Sequence, residues 1–129
     1  MRNRLPRILL VLAALLLAGG GVVHALAFWK AMPVISGSDL PAFYAHAFES
    51  LWLADATTLI AVGLFCLYVA ARPAGASRTA LLFVTLIPLA TALLLYVFVG
   101  NFLPGHILIA ASLLVGVATL LFPSAPRDA

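Results

Sequence analysis

Four long apolar stretches that carry very little charge dominate this chain: residues 8–29, 41–71, 79–99 and 106–122. A helix needs about 20 apolar residues to cross the hydrocarbon core of a bilayer. Three of the stretches reach that length and the fourth, the shortest, comes close. In lipid every backbone N–H and C=O must find its partner within the protein, and a helix does this inside a single segment. The pattern therefore predicts an all-α integral membrane protein, an up-down bundle of four transmembrane helices forming one domain over 1–129. Composition closes the soluble alternative. The chain is 65% hydrophobic and 9% charged over 129 residues. Soluble domains are nearer half apolar and a quarter charged, and so short a chain could not hide this much apolar surface.

Helix punctuation supports the boundaries. Pro6 precedes the first span and Met32-Pro33 follows it. Ser38 and Asp39 stand ahead of Pro41, a pattern suited to an N-cap with proline in the first turn. Arg72-Pro73-Ala74-Gly75 closes the second span, Gly100-Asn101 and Pro104-Gly105 mark the turn after the third, and Pro123 ends the fourth. Short connections predict antiparallel neighbours. Gly19-Gly20-Gly21, Gly63 and Gly116 are candidates for close helix approach, because small residues let backbones touch in lipid. Pro88 should kink the third span, with Thr85 near the freed backbone groups.

Basic residues set the expected orientation. Arg2, Arg4, Arg7, Arg72, Arg78 and Arg127 all fall on one side of a four-span topology, and only Lys30 falls on the other. The positive-inside rule puts the arginine side, with both termini, in the cytoplasm of a bacterial inner membrane. A competing reading is a secretory signal peptide cut after Ala25-Leu26-Ala27, which would leave three spans. Against it, the apolar run continues through that site into Phe28-Trp29. The net charge of +3 is scattered between apolar blocks, so it signals topology rather than a nucleic-acid partner. The lone Cys66 reads as a small packed hydrophobe.

Apart from the arginines, the polar residues cluster on one side. His24 is late in span one, and His46, Glu49, Trp52 and Asp55 are early in span two. Tyr96 and Asn101 are late in span three, and His106 opens span four. Because the spans alternate in direction, all of these gather toward the outer end. They are the candidate ligand-binding residues. Trp52 and Thr58 share the three-residue spacing of His46, Glu49 and Asp55, which makes a slanted ridge on one helix.

An ionisable group inside a membrane is costly and is by default a functional hypothesis. Asp55 and His24 lie at similar depth, just inside the outer boundary, and pair naturally, with Thr58 and Ser112 as reserve partners for Asp55. With Glu49, they are also the candidates for acid–base catalysis. His24, His46 or His106 could ligate a metal or haem, but no HExxH, paired ExxH or CxxCH motif is present, so no metal or cofactor is expected. Phe28, Trp29, Phe43, Tyr44, Phe98 and Phe102 suit an aromatic belt at the interface.

The expected function is binding. A polar groove in the outer half would take a lipid, an apolar small molecule or a partner, with a second copy or another membrane protein as the protein partners considered. The alternatives are an intramembrane acid–base enzyme on an apolar substrate, or a proton-coupled transporter using Asp55.

Overall fold

The computed structural model describes residues 4–73 and 77–122. Arg2, Ala74, Gly75, Pro123 and Arg127 lie outside the described residues. The chain forms four helices: α1 (Arg4–Ser36), α2 (Ala42–Ala71), α3 (Arg78–Phe98) and α4 (Leu103–Leu121). All four are long and apolar enough to cross a membrane. The protein is thus an all-α, multi-pass membrane bundle.

α1 is longer than expected at both ends. Pro6 sits in its first turn, where a missing N–H breaks no helical bond. Pro33 lies inside the last turn rather than after the helix, so the chain continues to Ser36. The end is then closed by serines. The Ser36 hydroxyl donates to the Pro33 carbonyl at 3.3 Å, and the Ser38 hydroxyl to the Ile35 carbonyl at 2.6 Å. Ser38 therefore caps the end of α1, not the start of α2. The N-cap of α2 is Pro41, with no side-chain hydrogen bond, and Asp39 is exposed.

At the next connection Ser77 caps α3, its hydroxyl accepting from the Ala80 N–H at 3.3 Å. At the last, Gly100 takes a φ of +92°, which glycine alone adopts readily, and its N–H reaches the Leu95 carbonyl at 3.0 Å. Pro104-Gly105 belongs to α4, with the proline in the first turn, and does not extend the loop.

The helices pack in the neighbour order α2–α1–α4–α3. Connected helices pair within each hairpin, α1 on α2 and α3 on α4. Although joined by a short connection, α2 and α3 meet only marginally, and α1 takes the place beside α4. The connection 72–77 spans at most ~21 Å extended, so α3 starts at the end where α2 stops. The buried core runs through Leu10, Leu17, Cys66, Leu81, Ala92 and Val115.

Two glycines set the α1–α2 approach. A Cβ on Gly63 would stand 2.7 Å from the Ala18 nitrogen, and one on Gly21 would stand 2.8 Å from the Ala56 carbonyl oxygen. These backbones touch in the manner small residues permit. The other candidate glycines do not serve this role. Gly19 and Gly20 have open space at the Cβ position, and Gly116 would make only an ordinary 3.7 Å contact with Thr85.

Candidate functional site

The antiparallel register of α1 and α2 is visible at the arginine end. Arg7 Nε donates to the Ala70 carbonyl at 2.7 Å and Arg7 Nη2 to the Ala71 carbonyl at 3.4 Å. A cation on the last carbonyls of a helix both satisfies them and complements the helix dipole. His24 lies 17 residues after Arg7, and Asp55 lies 17 residues before Arg72. The same register therefore brings His24 and Asp55 together. His24 Nε2 stands 3.6 Å from Asp55 Oδ2, with the two side chains 33% and 38% exposed. This is ion-pair range but too long for a hydrogen bond. At 1.5 Å per residue the pair sits about 25 Å from the arginines, short of the far side of a hydrocarbon core about 30 Å thick.

Trp52 holds the pair in place. Its indole lies flat on the His24 ring, with centroids 4.4 Å apart and planes 4° from parallel. Its Nε1–H donates to the His24 carbonyl at 2.8 Å. Phe48 leans on the indole from one turn away, at 5.6 Å between centroids. The imidazole is thus fixed by a stack, and the indole by a hydrogen bond and a neighbouring ring. Asp55, one turn after Trp52, is presented to the same imidazole. The three-residue spacing on α2 is what places Trp52 and Asp55 on one flank.

The reserve partners are engaged elsewhere. The Thr58 hydroxyl donates to the Ala54 carbonyl at 2.8 Å, within its own helix. The Ser112 hydroxyl donates to the Thr85 carbonyl at 3.3 Å, three residues before Pro88. A proline removes one helical donor and disturbs the ladder around it, and a hydroxyl on a neighbouring helix is a common remedy in membranes. Thr85 itself bonds back to the Leu81 carbonyl at 2.8 Å. The carbonyl that Pro88 leaves without a donor is that of Val84, so the Ser112 bond is an interhelical tie one residue from the break.

The remaining candidates fall into two further groups. His46 Nδ1 meets Glu49 Oε2 at 3.3 Å on one face of α2, with the histidine 76% exposed. In the other hairpin, His106 is held through both ring nitrogens. The Tyr96 hydroxyl bonds Nδ1 at 2.5 Å, and Nε2 lies 2.8 Å from Asn101 Oδ1. Both ring nitrogens, the Tyr96 hydroxyl and the Asn101 side-chain oxygen are thereby matched within this network. Tyr96 also packs against Gly105, where a Cβ would stand 3.4 Å from the ring.

The polar residues at the end away from the arginines therefore make three small clusters on two hairpins. The His46–Glu49 and Tyr96–Asn101–His106 clusters are largely matched internally. His24–Asp55 lies at hydrocarbon depth, on a rigid aromatic platform and partly exposed. Among the described residues, no three His, Cys, Asp or Glu side chains converge as a metal-holding group. Sequence reasoning missed Arg7 as the cap of α2. Its signal was that, of the basic residues ahead of the first span, Arg7 stands directly against the apolar run, at the level where the next helix ends. Compared with known family models, curated proteins and solved structures, the chain matches none.

Proposed function

We propose that the protein is a membrane-embedded binding protein whose working part is the His24–Trp52–Asp55 cluster. It takes the polar group of a lipid or apolar small molecule lying in the bilayer. One observation carries the reading: a histidine and a carboxylate stand 3.6 Å apart, each about one-third exposed, inside the apolar length of two closely packed helices. Ionisable groups at that depth are expensive unless something matches them. A ligand with a hydroxyl, amide or amine head would bond Asp55 and His24 while its apolar body stayed in lipid. The Trp52 stack supports this reading because a site on locked side chains loses little entropy on binding. The aromatic-rich far end and the arginine-rich near end support an inner-membrane protein with both termini in the cytoplasm.

The test is native mass spectrometry of the protein extracted from its own membrane. Wild type should carry an apolar ligand with a polar head. Asp55→Asn keeps the shape and removes the charge; it should fold with unchanged helical circular dichroism and lose that ligand by at least about tenfold. Equal retention by the folded variant would refute the proposal. Turnover of an apolar substrate dependent on Asp55 would replace binding with acid–base catalysis, and Asp55-dependent proton uptake in liposomes would replace it with transport.

A further inference from the structure

A second feature lies at the opposite end of the same hairpin. A cavity of about 360 Å³ opens between the start of α1 and the end of α2. Its walls are apolar, chiefly Ile8, Val11, Leu12 and Leu67, and among the described residues the one charged group lining it is Arg7. The size falls in the range of small-ligand clefts, roughly 300–1,000 Å³.

Three observations specify the occupant. Arg7 uses Nε and Nη2 on the α2 carbonyls, which leaves Nη1 for another acceptor on an exposed side chain. The described part of this end carries Arg4, Arg7, Arg72 and Arg78, whereas the described acids Asp39, Glu49 and Asp55 all belong toward the other end. Of the other arginines, Arg72 lies over the Tyr68 ring at 6.0 Å and Arg78 has a partner of its own. An uncapped apolar trough with one guanidinium at its edge matches a molecule that has a long apolar chain and an anionic group at one end. Guanidinium binds phosphate oxygens with directed N–H bonds, and basic pockets between membrane helices recognise anionic headgroups.

We infer that this cavity is a binding site for an anionic phospholipid, its phosphate on Arg7 and an acyl chain along Ile8, Val11, Leu12 and Leu67. Here the lipid would do structural work. Its headgroup would add an anion to a cation that already ties α1 to the last turn of α2, and its chain would fill the gap between the two helices.

The experiment uses the full chain in nanodiscs or detergent, with phosphatidylglycerol and phosphatidylcholine of identical acyl chains compared by native mass spectrometry. Wild type should retain phosphatidylglycerol about fivefold better, the effect of roughly one basic contact at a membrane surface. Arg7→Gln should abolish that preference, and Arg4→Gln should keep most of it. Leu67→Trp leaves Arg7 and its cap in place but fills the trough, so it should lower retention of phosphatidylglycerol with helical content unchanged. It reads the site even if Arg7→Gln unfolds. Equal retention of the two lipids by wild type would overturn the inference, as would full retention by Leu67→Trp. Competition by glycerol phosphate as effective as by the whole lipid would overturn the acyl-chain half. Because Asp55→Asn lies at the other end of the hairpin, it should leave this selectivity intact, so this inference and the proposed function fail separately.

Discussion

The two hairpins of the bundle solve the same membrane problem with different amounts of chain. α3 and α4 have 21 and 19 residues, about 31 and 28 Å of helix, which matches a hydrocarbon core about 30 Å thick. α1 and α2 have 33 and 30 residues, about 50 and 45 Å, and overshoot it. The extra length carries His46, Glu49 and a set of exposed aromatics that includes Trp29, Phe43 and Tyr44. It also moves His24 and Asp55 toward the middle of their helices. The long hairpin is fastened by backbone contact at Gly21 and Gly63. The short one is looser: a Cβ on Gly116 would meet only Thr85, at an ordinary 3.7 Å, and hydrogen bonds supplement its packing. Crossing the membrane thus explains the whole of α3–α4 and only part of α1–α2. A rigid, over-long hairpin with a polar couple in its apolar length is where a function would be built.

The sharpest way to break this contrast is to add one side chain to each interface. Gly63→Val places atoms against the backbone and Cβ of Ala18, where a Cβ alone would stand 2.7 and 2.8 Å from its neighbours. Neither neighbour is a flexible side-chain end, so α1 and α2 must separate. We expect a loss of about 3 kcal/mol or more, the upper part of the overpacking range, read as a lower midpoint in thermal or denaturant unfolding in detergent. Gly116→Ala in the short hairpin meets only Thr85 Cγ2 at 3.7 Å. It should be neutral or slightly stabilising, since alanine is the better helix former. Similar losses from the two changes would mean that the hairpins are fastened alike.

A second comparison concerns the aromatic clamps. Trp52→Phe keeps a ring over His24 but removes the indole bond to its carbonyl. Tyr96→Phe removes the hydroxyl partner of His106 Nδ1. Each deletes one hydrogen bond, worth about 1 kcal/mol. The consequences should differ. Trp52→Phe should weaken the apolar ligand by several-fold with little change in fold, because it loosens His24 against Asp55. Tyr96→Phe should lower unfolding stability and leave ligand retention unchanged. Loss of the ligand in Tyr96→Phe alone would move the site to the short hairpin.

How far these features could be read without coordinates depends on the physics behind each. Spans are set by a solvent, and solvent preference is additive along the chain, so hydropathy located all four helices. The His24–Asp55 approach was also legible, because two antiparallel helices anchored by arginines at one level carry residues 17 positions away to the same height. Boundaries depended on single hydrogen bonds. Ser38 had two helix ends within reach, and the carbonyl of Ile35 captured its hydroxyl. Pro33 looked like a stop, but near the end of a helix it removes a single bond and the chain can continue. The neighbour order α2–α1–α4–α3 was hidden for a different reason. A loop long enough to let α2 and α3 stand side by side does not require it, and lipid offers no hydrophobic force to bring them together. Glycine roles were equally hidden, since Gly19, Gly20 and Gly21 differ only in which way each faces.

The smallest effect tests the looser hairpin at its weakest point. Pro88 leaves a break in the α3 ladder, and the carbonyl of Thr85, one turn back, receives the Ser112 hydroxyl from α4 at 3.3 Å. Ser112 is 3% exposed, so water does not compete for its hydroxyl. Ser112→Ala deletes that donor and little volume. Hydrogen bonds between membrane helices average about 0.6 kcal/mol, because the unfolded chain in lipid also finds partners. We therefore expect a loss of about that size in unfolding stability, with Ser112→Thr, which retains a hydroxyl, recovering part of it. Pro88→Ala restores a backbone N–H whose helical acceptor is the Val84 carbonyl, not the Thr85 carbonyl that Ser112 uses. In that background the loss from Ser112→Ala should persist in a double-mutant cycle. A loss that vanished with Pro88→Ala would tie the bond to the kink, and a Ser112→Ala protein as stable as wild type would mean that Ser112 simply packs between α3 and α4. The Tyr96–His106 bond would then be left as a polar tie between the two helices of the short hairpin.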